Sequence, residues 1–240
     1  MHLKPKIMKG KLFSVSLLIA SAVLITVTGI VFRQSALRIA PLYVSLVVGL
    51  LQTRASRFAY LLGGLNCLLH TAAGISMGLY ASAASALLFS CPLQLVTFWR
   101  WGKKSYKHST EFHTLKVWQW LVGGAAVVIA FSIMQFALGK VSSHPVLDNL
   151  GVVLGLAVSL LSLLSFREYS WIMLVTGSLS VYLYILMTIE NPAQSTYLIY
   201  ATHSMICVVA QFFSVQKLYA EQKKSKTDAG DAMDAMEKTS

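Results

Sequence analysis

Long runs of apolar residues, separated by short polar segments, dominate the chain. Eight runs stand out, at residues 12–31, 37–53, 58–80, 83–99, 117–138, 148–165, 169–189 and 195–216. Arg38 and Asp148 are the charged residues within them, and both lie close to an end of their run. A helix needs about 20 apolar residues to cross the hydrocarbon core, and an ionisable group at its centre costs at least ~2.5 kcal/mol. The pattern therefore predicts an all-α integral membrane protein with eight transmembrane helices.

The composition leaves room for little else. The 240 residues are 56% hydrophobic and 12% charged, with a mean hydropathy of +0.64. Eight spans leave only short loops and tails, which excludes a separate soluble catalytic domain. The sequence has no nucleophile elbow, zinc-protease motif, phosphate-binding glycine loop or ATPase motif, and Cys67, Cys91 and Cys207 all lie inside apolar runs. We therefore predict that the protein is not an enzyme, has no cofactor or metal, and does not hydrolyse nucleotides to drive transport.

The net charge of +11 indicates membrane topology rather than nucleic-acid binding. With the N-terminus inside, seventeen of the 20 Lys and Arg residues fall in inner segments, and Arg33, Arg38 and Lys140 fall outside. Because basic residues favour the cytoplasmic side, we predict a multi-pass plasma-membrane protein with both termini cytoplasmic. Four tryptophans flank the largest predicted cytoplasmic loop. Indole rings favour the headgroup region, so we expect these four to be interface anchors: Trp99, Trp101, Trp118 and Trp120.

The chain divides into five predicted segments. A first three-helix bundle (36–104) and a second (146–220) are joined by a cytoplasmic loop and linker helix (105–145). Residues 1–35 form a cytoplasmic N-terminus and an extra transmembrane helix. We interpret that helix as retained rather than as a signal peptide, because its apolar run is longer than a usual signal core. Residues 221–240 carry almost no large apolar side chain and predict a disordered cytoplasmic tail.

The two bundles resemble copies of one unit. Each has a basic turn after its first helix, at Arg54–Arg57 or Arg167–Glu168, and a glutamine-bearing third helix followed by lysines. The linker helix lets both copies start on the same side, giving a 3+1+3 parallel repeat of a kind found in transporters with the substrate site between repeats. The alternative is that two unrelated apolar triplets look alike. Two small-xxx-small pairs also predict close helix contacts: Gly74 with Gly78 and Gly151 with Gly155.

Polar residues inside the spans require partners, because an unpaired polar group in hydrocarbon costs several kcal/mol. Asn66 and His70 are four residues apart on one helical face, Gln94 and Gln211 lie in the two third helices, and Asp148 opens the sixth span. Amides suit recognition of a polar ligand, but they could also bond between helices. Asp148 could cap its helix, and His70 could be a packed imidazole. Further polar side chains lie in the last two spans: Ser178, Ser180, Tyr182, Tyr184, Tyr200 and His203.

Two blocks of sequence resemble the PnuC family of vitamin transporters. The first holds Leu62-Gly-Gly-Leu-Asn66, Gly78-Leu-Tyr-Ala-Ser82 and Pro92-Leu-Gln94 up to Trp101, and the second holds Pro145-Val-Leu-Asp148, Arg167 and Ser170-Trp171. The resemblance implies a three-plus-one-plus-three helix core related to the SWEET sugar transporters. It also implies facilitated diffusion of nicotinamide riboside or a related vitamin such as thiamine, trapped by cytoplasmic phosphorylation.

The same resemblance implies roles for individual residues. Asn66, Gln94 and Asp148 would line the binding cavity, and Trp171, otherwise a fifth interface anchor, would be a stacking platform. The second tryptophan and the asparagine that follow in riboside-carrying members are replaced by Leu174 and Gly177. The identity of the vitamin therefore stays open.

We predict a vitamin uniporter with no catalytic residue and with one set of substrate-binding residues: Asn66, Gln94, Asp148, Trp171 and Gln211. Its partners would be a small-molecule vitamin and the lipid bilayer, with no nucleic acid, and the sequence leaves a homo-oligomer open. The alternative is a non-transporting polytopic membrane protein, such as a sensor or an assembly subunit, whose repeat is only structural.

Overall fold

A computed structural model of the protein describes residues 4–76, 80–103, 105–106, 109–138 and 144–237. The backbone of these residues is almost entirely helical. The helices are α1 (Lys4–Val31), α2 (Ala36–Gln52), α3 (Phe58–Ser76), α4 (Tyr80–Ser85), α5 (Cys91–Lys103), α6 (Val117–Leu138), α7 (Pro145–Leu163), α8 (Tyr169–Glu190) and α9 (Ser195–Glu237). A π-helical turn (Ala86–Ser90) joins α4 to α5, a 3-10 turn (Pro192–Gln194) precedes α9, and a short hairpin (β1, Ser105–Tyr106; β2, Ser109–Thr110) follows α5.

These helices account for the eight predicted apolar runs. The helices α4 and α5 run on through the π-helical turn as one segment, so the described residues form eight long helical segments. Four helices, α6, α7, α8 and the apolar part of α9, are each long and apolar enough to cross a membrane, and α1 to α3 contain shorter apolar stretches. Large apolar side chains on α1 and α6 point outwards, as lipid-facing positions do. The predicted all-α membrane fold is confirmed, whereas the parallel repeat stays a prediction.

Helix packing divides the bundle into two groups. In the first group α3 packs against both α2 and α5, and in the second α8 packs against both α7 and α9. The groups meet where α2 contacts α9 and where α5 contacts α7. The extra helix α1 packs on α2 and α9, and α6 packs on α7. We refer to the two ends of the bundle by residues at either end of α7, as the Asp148 end and the Arg167 end.

The turns between α2 and α3 and between α7 and α8 have the same local form. Each contains a buried residue with a left-handed backbone, Ala55 (φ 48°) in one and Ser165 (φ 62°) in the other. Each of these residues is followed two positions later by an arginine, Arg57 or Arg167. The left-handed residue reverses the chain tightly, so that the next helix returns beside the one before.

Aromatic side chains fill the Arg167 end of the bundle. The ring of Trp101 meets that of Phe112 edge to face, with centroids 5.6 Å apart, and the Phe112 ring stacks on that of Tyr169. The backbone N–H of Phe112 donates to Oε1 of Gln222 at 3.0 Å, which fastens the loop before α6 to α9. We call this cluster the aromatic plug, and its buried members are Ala55, Trp101, Phe112, Tyr169 and Val215.

One of the four predicted interface anchors belongs to this plug. Trp99, Trp118 and Trp120 are exposed, as the prediction requires, but Trp101 is only 1% exposed. Its indole N–H donates to the backbone carbonyl of Ser162 at 2.8 Å. A buried indole is stable when its N–H has a partner, and the sequence does not show that α7 supplies one. The anchor prediction for Trp101 is therefore wrong.

The last helix extends further than the sequence predicts. The helix α9 continues to Glu237, through most of the segment 221–240 that the sequence predicts to be disordered. Alanine, lysine, glutamate and glutamine favour helix, and a helix already started on the bundle needs no new nucleation to continue. Gln222, the second residue of that segment, is buried by its contact with the loop before α6.

Candidate functional site

A cavity of about 390 Å³ lies between the two groups of helices. One face of α7, from Leu147 to Ser159, forms one wall, and α8 between Leu179 and Tyr184 forms another. Ser85, Ser90 and Gln94, around the π-helical turn, complete the lining. Its volume falls within the roughly 300–1,000 Å³ of small-molecule sites, and such turns are frequent at functional sites.

Small residues on α7 open the cavity. Asp148, Gly151, Gly155 and Ser159 follow one another at spacings of three or four residues, which places them on one helical face. No described atom lies within 4 Å of the position that a Cβ would take at Gly151 or Gly155. The predicted close helix contact through these glycines is therefore wrong, because the space beside them is the cavity. In the other predicted pair, Gly78 lies outside the described residues.

Gln94 is held in the cavity wall by α3. Its Nε2 donates to Sγ of Cys67 at 3.5 Å, and its Oε1 lies directly over the backbone of Gly63, in the space that a Cβ would occupy. A glycine at position 63 is thus required for this placement of the amide. The site therefore depends on Gly63. The sequence shows this residue only within the segment Leu62-Gly-Gly-Leu-Asn66 and predicts no role for it.

Asp148 supplies the charge. It lies in the first turn of α7, where Pro145 starts the helix and the positive end of the helix dipole favours a carboxylate. Among the described residues that line the cavity, Asp148 is the only charged one. The structure therefore brings together two of the predicted site residues, Gln94 on α5 and Asp148 on α7, in the lining of one cavity.

Tyr184 adds an aromatic ring. It lines the cavity four residues after Ser180, and its ring stacks on that of Tyr197 with centroids 5.7 Å apart and planes 19° from parallel. Ser180 and Tyr184 are among the polar positions that the sequence shows in the last two spans, but they are not among the predicted site residues. The spacing of four between the serine and the tyrosine, on one helical face, was the available signal.

Asn66 lies in a separate polar network between α2 and α3. It is buried, and its Nδ2 donates to Oγ of Ser45 at 2.7 Å, while Ser45 Oγ also lies 3.2 Å from Nε2 of His70. Its Oδ1 is buried and has no partner in the described part of the chain. These contacts match the interhelical alternative for Asn66 and the packed-imidazole alternative for His70.

Gln211 and Trp171 also lie away from the cavity. Nε2 of Gln211 donates to the hydroxyl of Tyr169 at 2.9 Å, beside the aromatic plug. Trp171 is 52% exposed and meets the ring of Phe212 edge to face, with centroids 4.5 Å apart. It precedes Ser180 by nine residues, or about two and a half helical turns, so it projects from the face of α8 opposite the cavity.

Comparisons with known proteins agree with this architecture. The family model described as "Nicotinamide mononucleotide transporter" matches residues 35–219. The chain is 26% identical over 158 residues to the nicotinamide riboside transporter PnuC of Neisseria mucosa, and the match covers 61% of this chain and 60% of that protein. The crystal structure of the vitamin B3 transporter PnuC superimposes with a TM-score of 0.72 at 22% identity, over 87% of this chain and 92% of that one. This last match shows the fold.

Proposed function

This chain belongs to the nicotinamide mononucleotide transporter family, and from that premise we propose that it carries nicotinamide riboside or a related vitamin, such as thiamine, across the plasma membrane. The matching family and relatives are transporters and not enzymes, in agreement with the sequence-based prediction. The observation that carries the proposal is the cavity between the two helix groups, which places the Gln94 amide and the Asp148 carboxylate around one ligand-sized space.

The charge of the cavity favours a cationic or uncharged ligand. Its described lining holds the Asp148 carboxylate and no basic side chain. A phosphate group would meet like charge there, whereas a pyridinium or thiazolium ring would meet an opposite one. The lining therefore supports a riboside or thiamine as the ligand and argues against the phosphorylated mononucleotide.

Three side chains would share the recognition of such a ligand. The Gln94 amide can donate to and accept from a carboxamide or ribose hydroxyl, Asp148 would pair with the cationic ring, and Tyr184 would present an aromatic face to it. Asn66 would stabilise the contact between α2 and α3, and Gln211 would stabilise the contact between α8 and α9. Trp171, on the outer face of α8, would contact lipid.

The aromatic plug gives the cavity a closed end. The cavity extends along α7 from Leu147, at the Asp148 end, to Ser159, and the plug fills the Arg167 end beyond it. With the lysine-rich segments inside, both termini and the Arg167 end would face the cytoplasm. We propose that the two groups rock against each other to open the plug as the other end closes. Phosphorylation of the vitamin in the cytoplasm would then trap it.

Uptake by purified protein in liposomes tests the proposal. We expect radiolabelled nicotinamide riboside to equilibrate across the membrane without a sodium or proton gradient, and nicotinamide mononucleotide to compete poorly. Gln94→Ala should weaken uptake, whereas Gln119→Ala, an amide at the start of α6, should not. Accumulation that needs an ion gradient would overturn uniport. Absence of vitamin uptake by folded protein would favour the non-transporting alternative.

A further inference from the structure

Two adjoining cavities lie beside the turn between α1 and α2, and neither shares a lining residue with the vitamin cavity. The first is a groove of about 470 Å³ between α1 and α2. The second is a pocket of about 350 Å³ between this turn and the turn that joins α8 to α9. Arg33 and Gln34 line both cavities, so the groove and the pocket adjoin each other at these two residues.

The groove has the character of an acyl-chain site. Apart from its mouth at Arg33 and Gln34, it is lined mostly by apolar side chains of the two helices, among them Ile30 and Ile39. A hydrogen bond of 2.5 Å between Oγ1 of Thr26 and the hydroxyl of Tyr43 joins the helices at its deep end. From Thr26 to Arg33 the groove extends about 10 Å along α1. In a membrane an apolar groove of this depth is accessible to a lipid chain.

The pocket has the character of an anion site. Arg33 and Arg38 line it, together with the amides of Asn191 and Gln194, and no acidic residue is among the described residues of its lining. Nε2 of Gln34 donates to the carbonyl of Ala193 at 2.6 Å, which ties the two turns together. Oε1 of the same amide is buried without a partner among the described residues. The pocket thus offers two cations and, among its described lining residues, no opposing charge.

Arg33 occupies a backbone position that favours glycine. Its φ is 50°, and it ends α1 with a paired capping pattern in which Gln34 N–H donates to the carbonyl of Gly29 and Arg33 N–H to that of Ile30. Helices that end in this way usually carry glycine at the left-handed position. An arginine at this position has an unfavourable backbone conformation that costs stability. We therefore expect the side chain of Arg33 to have a role other than helix capping.

We propose that this site binds one anionic phospholipid. The phosphate lies between the guanidinium groups of Arg33 and Arg38, which suit phosphate geometry, and one acyl chain lies in the groove. Residues 26–34 precede the region that the family model matches. The extra helix and the turn after it form one side of the groove and α2 forms the other, so the lipid fastens the extra helix to α2 and α9.

Lipid-dependent thermal stability of the full-length purified protein tests this. Phosphatidylglycerol should raise the melting temperature and be retained in native mass spectra, and phosphatidylcholine with the same acyl chains should do so less. Each lost arginine should weaken phosphatidylglycerol binding about five-fold, from about 1 kcal/mol for an exposed ion pair with the phosphate. Arg33→Gly is the informative variant, because glycine suits that backbone and the fold should not suffer. Arg38→Ala is its companion, and Arg100→Ala, an exposed arginine on α5, is the matched control.

The groove has its own test. Ala36→Phe places a ring in the groove from an exposed position, and it should weaken phosphatidylglycerol binding although both arginines remain. Inorganic phosphate alone that stabilises the protein as much as the lipid does would overturn the proposal in favour of a free-anion site. Equal binding of the two lipids, or unchanged phosphatidylglycerol binding by both arginine variants, would also overturn it.

Discussion

Gly63→Ala should weaken substrate binding without weakening the fold. The new methyl group would occupy the space of Oε1 of Gln94, and the amide is the far end of a flexible side chain that can swing away. It would then leave Sγ of Cys67, its present partner. Alanine is a better helix former than glycine by about 1 kcal/mol, so α3 itself should not be destabilised.

The size of the effect follows from the hydrogen bond that the Gln94 amide would make to the substrate and would lose when it swings away. A neutral hydrogen bond contributes about 0.5–1.5 kcal/mol net, and about 1 kcal/mol corresponds to roughly a five-fold change in affinity. We therefore expect the KM for nicotinamide riboside uptake to rise about five-fold in Gly63→Ala. The melting temperature should stay close to that of the wild type. Gly123→Ala on α6, where no described atom lies within 4 Å of the new Cβ, should leave both quantities unchanged.

A double-mutant cycle tests whether Gly63→Ala weakens substrate binding through the Gln94 amide. Uptake into liposomes is measured for wild type, Gly63→Ala, Gln94→Ala and the double variant. If Gly63 acts through the Gln94 amide, the double variant should transport like Gln94→Ala alone, because the amide is already absent. Additive losses, or an unchanged KM in Gly63→Ala, would refute the reasoning.

Three further predictions concern charge, orientation and packing. Asp148→Asn should lower the affinity for cationic nicotinamide riboside about ten-fold and leave competition by neutral nicotinamide unchanged. Trp171→Ala should keep the KM within about two-fold of wild type, since the Trp171 ring projects away from the cavity. A ten-fold loss of uptake would instead show that Trp171 contributes to substrate binding. Trp101→Ala should destabilise the protein by about 3–5 kcal/mol, measured by thermal unfolding in detergent, because it empties the plug and leaves the Ser162 carbonyl without its indole donor.

The sequence predicts the membrane segments well because charge and length decide them. Each run without a central charge became a helix, and the basic turn at Arg167 separates α7 from α8 as expected. The sequence predicts the run 83–99 as one membrane-spanning helix, and the structure shows that the helical pitch changes within it at Ala86–Ser90. That change depends on how the segment packs on its neighbours, which apolar content does not record.

The sequence predicts that the helices enclose a polar cavity, but it identifies only some of the residues that line it. Gln94 and Gln211 hold similar positions in the two third helices, yet Gln94 reaches the cavity over Gly63 while Gln211 bonds to the hydroxyl of Tyr169. Which way an amide points depends on the rotation of its helix and on the residue opposite. Trp171 shows the same limit, because a motif gives the residue but not the face of the helix that carries it.

The arginines of the two matching turns indicate which parts of the bundle stay together. The Arg57 guanidinium lies against the backbone of Gly102 on α5, and that of Arg167 lies 4.3 Å from the ring centroid of Tyr219 on α9. Gly102 follows Gln94, and Tyr219 follows Gln211, by the same number of residues, so the two contacts are equivalent in the proposed repeat. Each arginine joins the turn between the first two helices of its group to the third. Such clamps stiffen each group internally, so an opening motion should occur between the groups, where the cavity lies.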